Sequence, residues 1–352
     1  MSAAAPDWLA AALTCLARGV PCTLVTVAAV EGSAPREAGT KMLVHLDGMA
    51  GSVGGGHLEF KALAEAKSLL QTAMAPQAKL LDFALGPSLG QCCGGRVTLL
   101  FEPLTPAALP WLTAWQQPSN DRVLLTRLSP PNKIVVEPEK APRDLMDPLR
   151  TLAESAAPAV LFHRDDPGSC YLLERMVDSR QDLYLFGAGH VGQALVQVLS
   201  LLPFRVRWID GRAEMFPAVL PANVEAECSA SPRHDVAAAA PGSFFLVMTH
   251  SHPTDLEICD QVLKRGDFAF LGLIGSESKR ATFLSRLRQR GHGEAALARL
   301  TCPIGLPEVT SKEPASIAVA VAGQLLARSE AILRDRLAAR SGTCPAEGRY
   351  AS

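Results

Sequence analysis

One stretch near the middle of the chain, LYLFGAGHVGQAL, constrains the fold most. An apolar run ends there at three glycines with the spacing G-x-G-x-x-G, namely Gly187, Gly189 and Gly192, and a helical pattern follows. From residue 181 onward, apolar runs alternate with helical segments, which is typical of βαβ units on a parallel, doubly wound sheet. The sequence therefore predicts a Rossmann-like C-terminal domain over residues 181–335, followed by a tail over 336–352.

The glycine loop also predicts a ligand. Glycines allow a tight turn and a close approach of the backbone, and a helix N-terminus offers amide donors to a phosphate or pyrophosphate. Asp210 ends the next predicted strand, eighteen residues after Gly192, and suits a ribose diol, whereas His190 is not required by any dinucleotide. The identity of a nucleotide stays open, and a glycine turn kept only for packing is the alternative.

The N-terminal half has a different texture. Residues 1–145 read as a mixed, mostly β domain with helices, and Asp47-Gly48 between two apolar runs predicts a hairpin. Proline-bearing segments over 146–180 predict a connector. No internal repeat is predicted. The fold class is thus α/β, with a mostly β N-terminal domain before the Rossmann-like one.

Two loops of the N-terminal domain carry candidate ligand-binding groups. In EGSAPREAGTK, Ser33, Arg36 and Lys41 supply polar and cationic side chains. In GSVGGGHLE, the run from Ser52 through Gly56 offers amides that could form an anion-binding nest just before a helix. A flexible surface loop is the alternative for both.

The stretch QCCGGRV places Cys92 and Cys93 beside Gly94 and Gly95, whose bare backbone lets a bulky ligand reach the sulfur. An accessible thiolate there could contact a metal or accept sulfur, while two small buried hydrophobes are the alternative. The chain has nine cysteines and no CxxC pair, which predicts reduced thiols and no structural zinc site.

VMTHSHPTDLEIC places His250, His252 and Asp255 at the carboxyl end of a predicted strand, where open α/β sheets bind ligands. The metal-binding H-x-H-x-D-H pattern would need Asp and His where Thr254 and Asp255 stand. We therefore predict no metal site. Ligand-facing polar residues and helix capping remain as alternatives.

Composition excludes several classes of protein. The net charge is -1 and no long basic block occurs, so nucleic acid is not an expected partner. The first thirty residues lack a basic n-region, and no uncharged apolar run reaches the roughly 18 residues of a spanning helix. We expect a cytoplasmic protein without a membrane anchor.

Several motifs in order over residues 10–330 resemble the xanthine dehydrogenase accessory protein family, XdhC/CoxI. They include GSAPREAGTKMLV, GSVGGGHLE, CCGGRV, GAGHVGQAL, THSHPTDLEI, GLIGSESKRATFL and CPIGLP. The resemblance implies a molybdenum-cofactor maturation factor and chaperone, with its own catalysis left open. Such proteins hold the pterin cofactor, molybdopterin, support its sulfuration by a cysteine desulfurase, and deliver it to the apo large subunit of xanthine dehydrogenase.

The resemblance also assigns residues. The family's Ser-x-Pro-Arg falls on Ser33 to Arg36, its Cys-Gly-Gly on Cys93 to Gly95, and its second cysteine on Cys302. The chain departs from the family pattern at Glu308. Cys93 becomes the candidate sulfur or molybdenum contact, with Cys92 and Cys302 as weaker candidates. The predicted cofactor-binding residues are Ser33, Arg36, Ser52, Gly54, Gly55, Gly56, Glu59, Gly94, Gly95, Gly187, Gly189, His190, Gly192, Asp210 and His250.

Two other functions compete with this one. A nicotinamide-dependent oxidoreductase would use the Rossmann loop and Asp210, although no partner site for hydride transfer is evident in the sequence. A scaffold whose glycine loops only pack is the third reading. The oligomeric state stays open, a homodimer included.

Overall fold

The computed structural model describes two compact units, residues 1–178 and 179–352. The described residues are 7–71, 78–85, 94–116, 122–128, 131–141, 143–155, 158–163, 170–176 and 180–341.

The first unit opens with a five-stranded antiparallel sheet in the order β3-β2-β1-β5-β4. Its strands are β1 (Cys22–Glu31), β2 (Lys41–His45), β3 (Gly48–Gly51), β4 (Lys79–Ala84) and β5 (Arg96–Leu104). Helix α1 (Asp7–Ala17) precedes β1, and α2 (Gly56–Gln71) lies between β3 and β4. The hairpin predicted at Asp47-Gly48 joins β2 to β3.

A second antiparallel sheet follows in the order β7-β6-β9-β8. Its strands are β6 (Val123–Leu128), β7 (Pro131–Val136), β8 (Ala159–His163) and β9 (Cys170–Arg175), and its helices are α3 (Leu109–Trp115) and α4 (Met146–Glu154). The connector predicted over 146–180 therefore holds a helix and two strands. The two prolines among its described residues do not interrupt them, because Pro148 lies in the first turn of α4 and Pro158 directly precedes β8.

The two sheets share one topology, which corrects the expectation that the chain has no internal repeat. Without β3, the orders β2-β1-β5-β4 and β7-β6-β9-β8 are the same, and each sheet has a helix before its first strand and another between its second and third. We call residues 7–104 repeat 1 and residues 109–176 repeat 2. The sequence did not reveal the repeat, because the two halves share an order of strands and helices and only a few equivalent residues.

The second unit confirms the predicted Rossmann fold. Its six strands are parallel and lie in the order β12-β11-β10-β13-β14-β15, the doubly wound order 3-2-1-4-5-6. The strands are β10 (Gln181–Phe186), β11 (Phe204–Asp210), β12 (Val224–Cys228), β13 (Phe244–Val247), β14 (Phe270–Leu273) and β15 (Leu300–Thr301). The helices are α5 (His190–Leu199), α6 (Pro232–Ala238), α7 (His252–Arg265), α8 (Glu277–Gln289), α9 (Glu294–Leu297) and α10 (Pro314–Ser341). Strand order reverses between β10 and β13, so the glycine loop after β10 lies at the switch point.

Helix α10 is long and apolar enough over residues 314–332 to cross a membrane by length and composition alone. Ala318, Val321, Ala322 and Leu325 recur at helical spacing, are buried, and belong to the core that contains α5. We therefore assign α10 as a core helix of the Rossmann unit.

The contact between α5 and the glycine turn gives a stability prediction. A Cβ at Gly192 would lie 2.3 Å from the carbonyl oxygen of Gly187, whereas a Cβ at Gly189 would meet no atom within 4 Å. We expect Gly192→Ala to lower the free energy of unfolding by about 1–3 kcal/mol through overpacking. Gly189→Ala, the matched control, should change it by less than about 1 kcal/mol. Urea unfolding measures both, and equal stabilities would show that α5 moves away from the turn without cost.

Candidate functional site

Three motif-bearing loops of repeat 1 meet at one end of the first sheet. Antiparallel pairing places Glu31 of β1 opposite Arg96 of β5, and Met42 of β2 opposite Gly51 of β3. The loops over 32–40 and 52–55, together with residue 85 after β4 and residues 94–95 before β5, therefore lie at the same end of the sheet. We call this end of the sheet the motif end.

The loops at the motif end approach each other as bare backbone. A Cβ at Gly95 would lie 2.3 Å from the carbonyl oxygen of Ser33 and 2.6 Å from that of Glu31. Gly54, with φ +133°, would place a Cβ 2.4 Å from Cγ of Pro35. No side chain fits at either glycine, so both are needed for the loops to pack.

The predicted anion nest is filled by the chain itself. Gly54, Gly55 and Gly56 all have positive φ, a conformation that glycine adopts without steric cost. The amide of Gly54 donates to Ser52 Oγ at 3.2 Å, and the amide of Gly55 donates to Glu59 Oε2 at 3.2 Å. Ser52 Oγ also donates to Glu59 Oε2 at 2.5 Å. The two amides expected to bind a ligand anion are thus taken by the chain itself, the Gly54 amide by Ser52 and the Gly55 amide by Glu59.

The exposed groups at the motif end differ in kind. Ser33 and Arg36 are exposed in the first loop, and Gly94 is exposed just before β5. His57 lies at the start of α2 with its ring 5.9 Å from that of Phe60, which is 67% exposed. A guanidinium and a hydroxyl are groups that bind anions, and an exposed aromatic ring offers a face to a flat ligand.

Lys41 does not belong to this exposed set, which corrects the expectation from sequence. As the first residue of β2 it points between the two sheets, where its Nζ forms an ion pair with Glu174 Oε1. Burial lowers the pKa of Lys41 below its ordinary value, although Glu174 acts in the opposite direction. Successive residues of a strand point to opposite faces of the sheet, and the sequence alone did not predict which face Lys41 occupies.

Of the three candidate cysteines, Cys92 and Cys93 lie outside the described residues. Cys302 is 6% exposed in the core of the Rossmann unit. Burial raises the pKa of Cys302 to about 11, so this thiol stays protonated at neutral pH. The structure therefore places Cys302 as a core residue and not as a reactive thiol.

The Rossmann loop has two glycines that packing explains and one that it does not. Gly187 has φ +116°, and a Cβ there would lie 2.3 Å from the carbonyl oxygen of Met248. Gly192 is equally confined. Gly189 forms the N-cap of α5 with an ordinary φ of -72° and open space around it. Glycine is a common N-cap residue, and the open space also leaves room for a ligand to approach the backbone at this position.

Asp210 is buried at the end of β11 and already bound. Its carboxylate accepts from the Ala188 amide at 2.8 Å and from Arg212 Nε and Nη2 at 2.9 Å each. Burial raises the pKa of Asp210, but the hydrogen bonds from Arg212 and Ala188 outweigh burial and hold the pKa below its ordinary value. Sequence reasoning missed Arg212, which is partly exposed and follows Asp210 by two residues. The sequence predicted that the Asp210 carboxylate is free to bind a ribose diol. In the structure Arg212 occupies that carboxylate, and its guanidinium is the group that is partly exposed there.

His190 is exposed on the first turn of α5 and lines a cavity of about 680 Å³. The cavity lies within the Rossmann unit, and Gln193, Trp208, Phe216 and Pro314 also line it.

The loop after β13 is organised by a buried aspartate. Asp255 is fully buried and accepts from the amide of Thr249 at 3.0 Å, from its hydroxyl at 2.7 Å, and from Lys279 Nζ at 2.7 Å. The N-cap of α7 is Ser251, not Thr254 or Asp255. His250 is exposed at the carboxyl end of the sheet. Among the described residues, no three His, Cys, Asp or Glu side chains cluster as metal ligands.

Comparisons with known proteins agree with both units. The family described as "XdhC and CoxI family" matches residues 15–83, and the family described as "XdhC Rossmann domain" matches residues 183–325. An uncharacterized Escherichia coli protein, YqeB, is 33% identical over 153 residues, which is 42% of this chain and only 27% of that protein. A crystal structure described as a xanthine dehydrogenase from Bacillus halodurans superposes with a TM-score of 0.71 at 20% identity, covering 92% of this chain and 96% of that one. At that identity the superposition supports the fold.

The Asp210–Arg212 pair gives a prediction about pH. We expect Arg212→Met to raise the pKa of Asp210, because burial remains while the main hydrogen bonds are lost. In the wild type the folded pKa lies below the unfolded value of about 3.9, so this group stabilises the fold above that pH. Its contribution is lost as the pH falls through the folded pKa.

Carboxyl NMR titration of Asp210 measures the shift directly. Arg207→Met is the matched control, since Arg207 lies on the same strand and faces Glu225 and Glu227. An Asp210 titration that is the same in wild type and both variants would contradict the assigned role of Arg212.

Proposed function

Because this chain belongs to the XdhC and CoxI family, whose members act in xanthine dehydrogenase maturation, we propose that it is a molybdenum-cofactor chaperone. It binds molybdopterin, supports sulfuration of the molybdenum centre, and delivers the cofactor to the apo large subunit of xanthine dehydrogenase. The observation that supports this proposal best is the convergence of three separate motif loops at the motif end. We place the protein in the cytoplasm, where this work is done.

The residues at the motif end fit a pterin that carries a phosphate. Arg36 is exposed and offers a planar guanidinium for the phosphate. A Cβ at Gly55 or Gly94 would meet no atom within 4 Å, so a ligand can approach the backbone at both. The exposed Phe60 ring, beside His57, offers a face for a flat heterocycle. The bound cofactor would supply the dithiolene-held molybdenum whose oxo ligand is replaced by sulfide, and Arg36, the glycine backbone and the Phe60 ring would hold it.

Cys93 directly precedes Gly94 in the chain, and we assign it the thiolate that meets the cofactor. It contacts molybdenum or accepts sulfur from a cysteine desulfurase. In the second case the desulfurase persulfide transfers its terminal sulfur to Cys93, and the desulfurase cysteine leaves as a thiolate, so the exchange involves no net oxidation. The raised pKa values of Cys22 and Cys302 make these buried thiols poor substitutes for it.

The Rossmann loop has a separate binding role in this proposal. The first turn of α5 leaves backbone amides for a phosphate, either of the cofactor or of a nucleotide. A nicotinamide-dependent oxidoreductase is disfavoured, because the Asp210 carboxylate that would bind the ribose diol is held by Arg212 and the Ala188 amide. We therefore propose a binding role without hydride transfer.

The first test concerns the cofactor and Cys93. Protein purified from cells that make molybdopterin should release a pterin close to one per chain, and protein from cells unable to make it should release none. We expect Cys93→Ala to lose the pterin or its sulfuration while remaining folded, whereas Cys92→Ser, the adjacent control, retains both. Fluorescence of the oxidised pterin and activation of apo xanthine dehydrogenase are the two measurements.

Absence of pterin from both preparations would overturn the proposal. Equal activation of the apo-enzyme by wild type, Cys93→Ala and Cys92→Ser would leave the cofactor chaperone in place but remove the thiol from its mechanism. Pull-downs of the desulfurase and the apo large subunit test the two protein partners.

The second test concerns Gly189. Gly189→Val places a branched side chain in the space where a phosphate would meet the backbone, and nothing in the protein opposes it. We expect the fold to persist by circular dichroism and the affinity for the phosphate ligand to fall by about tenfold or more, the equivalent of 1.4 kcal/mol. Equilibrium dialysis with molybdopterin and with NADPH in separate arms identifies the source of the phosphate. Unchanged binding of both would reduce the glycine loop to packing.

A further inference from the structure

The two repeats of the N-terminal unit match residue by residue between the sheets. In repeat 1, Lys41 on β2 lies directly opposite Thr26 on β1. In repeat 2, Lys133 on β7 lies directly opposite Thr126 on β6. The match extends to the last strand of each repeat, where a glutamate lies opposite the leucine that precedes the threonine by two residues. The pairs are Glu102 with Leu24 in repeat 1 and Glu174 with Leu124 in repeat 2.

The charged residues at these equivalent positions pair between repeats and not within them. Lys41 of repeat 1 binds Glu174 of repeat 2, and Lys133 of repeat 2 binds Glu102 of repeat 1 at 2.7 Å. The two pairs are close enough for Lys133 and Glu102 to influence the pKa of Lys41. They therefore form one crossed set of charges between the two sheets.

Each lysine also lies near a tryptophan of the helix that precedes its sheet. Lys41 Nζ is 5.7 Å from the ring centre of Trp8 on α1, and Lys133 Nζ is 4.5 Å from that of Trp111 on α3. The tryptophan rings and the carboxylates together replace the water that the ammonium groups lose on burial.

The crossed pairs differ in burial. The side chains of Lys41 and Glu174 are 1% and 2% exposed, and those of Lys133 and Glu102 are 9% and 12% exposed. Among the described residues, Glu174 Oε2 has no hydrogen-bond partner, so Lys41 is the main compensation for this carboxylate. A buried charge that loses its partner is strongly destabilising. Any movement that separates Lys41 from Glu174 is therefore energetically costly, and so is a displacement of the segments that carry them.

Those surroundings include the first loop of the motif end. Lys41 directly follows the loop over 32–40, and its Nζ also donates to the carbonyl oxygen of Gly39 at 3.4 Å. Gly39 has φ +88° and lies against repeat 2, where its Cβ would be 3.6 Å from Cβ of Pro158 and 3.3 Å from Cβ of Ala159. Repeat 2 thus supports the end of this loop through an ion pair and through the close approach of Pro158 and Ala159 to Gly39.

We infer that repeat 2 is a positioning element for the motif end, with Glu174 as the positioning residue for the loop over 32–40. The role of this loop in cofactor binding rests on the proposed function, while its support by repeat 2 does not. Lys133 lies on β7 near the short 129–130 connection, which carries none of the motif residues. The Lys133–Glu102 pair is therefore a matched control: it is similar in chemistry and lies within coulombic reach of Lys41, but neither of its residues is adjacent in sequence to the loop over 32–40.

The experiment compares Glu174→Gln with Glu102→Gln by amide hydrogen exchange in the full chain. The probes are the amides of Gly39 and Thr40, which donate to Val27 at 2.7 Å and Glu37 at 3.2 Å. We expect both variants to lower the midpoint of urea unfolding. We expect exchange at Gly39 and Thr40 to be at least about tenfold faster in Glu174→Gln than in Glu102→Gln, which corresponds to 1.4 kcal/mol of opening free energy.

Equal exchange at these two amides in both variants would overturn the inference. If Glu174→Gln does not fold, Ala159→Gly removes the other support and keeps the ion pair, and it must speed exchange at the same amides for the inference to stand. Because the measurement needs no cofactor, it separates the two proposals. If Glu174→Gln speeds exchange at Gly39 and Thr40 but still binds pterin, repeat 2 supports the loop without positioning it for the cofactor. If wild type binds no pterin while the two variants exchange as expected, only the proposed function is contradicted.

Discussion

The buried ion pair between Lys41 and Glu174 joins the two halves of the N-terminal unit at the point where the first loop of the motif end enters β2. A lysine in this position must be compensated, because burial of an unpaired ammonium costs several kcal/mol. The partner comes from the other repeat, so neither sheet satisfies its own charges. The strand that begins at Lys41 is fixed as a result, and the loop that leads into it ends at a defined place.

The motif end adds a second constraint, which is the absence of side chains. Gly54 and Gly95 let three loops meet as backbone, and Ser52 and Glu59 accept hydrogen bonds from the Gly54 and Gly55 amides. This arrangement is rigid where the loops touch each other and polar where they face outward, with Arg36 and Ser33 exposed. A preformed surface of this kind suits a protein that holds a reactive cofactor and then releases it.

Sequence reasoning was strongest for the Rossmann unit. Buried parallel strands produce continuous apolar runs, and the glycine turn marks the first of them, so the doubly wound parallel fold follows from local patterns. Prediction from sequence was weakest where a residue's role depends on a contact that local sequence patterns do not show. The side on which Lys41 lies depends on strand alternation, the binding of Asp210 depends on Arg212 in three dimensions, and the repeat depends on a register shared by residues about 72 to 100 positions apart. Glu59 at the nest is a further case, since a carboxylate near a helix start predicts capping as readily as ligand binding.

The central claim is that the motif end of repeat 1 binds molybdopterin. Hydrogen exchange of the apo-protein, measured with and without added molybdopterin under anaerobic conditions, tests it most directly. The account predicts increased protection of backbone amides over 32–38, 52–57 and 94–96, including the amides that already bind Ser52 and Glu59. Protection confined to residues 187–192, or no protection anywhere in the chain, would contradict it.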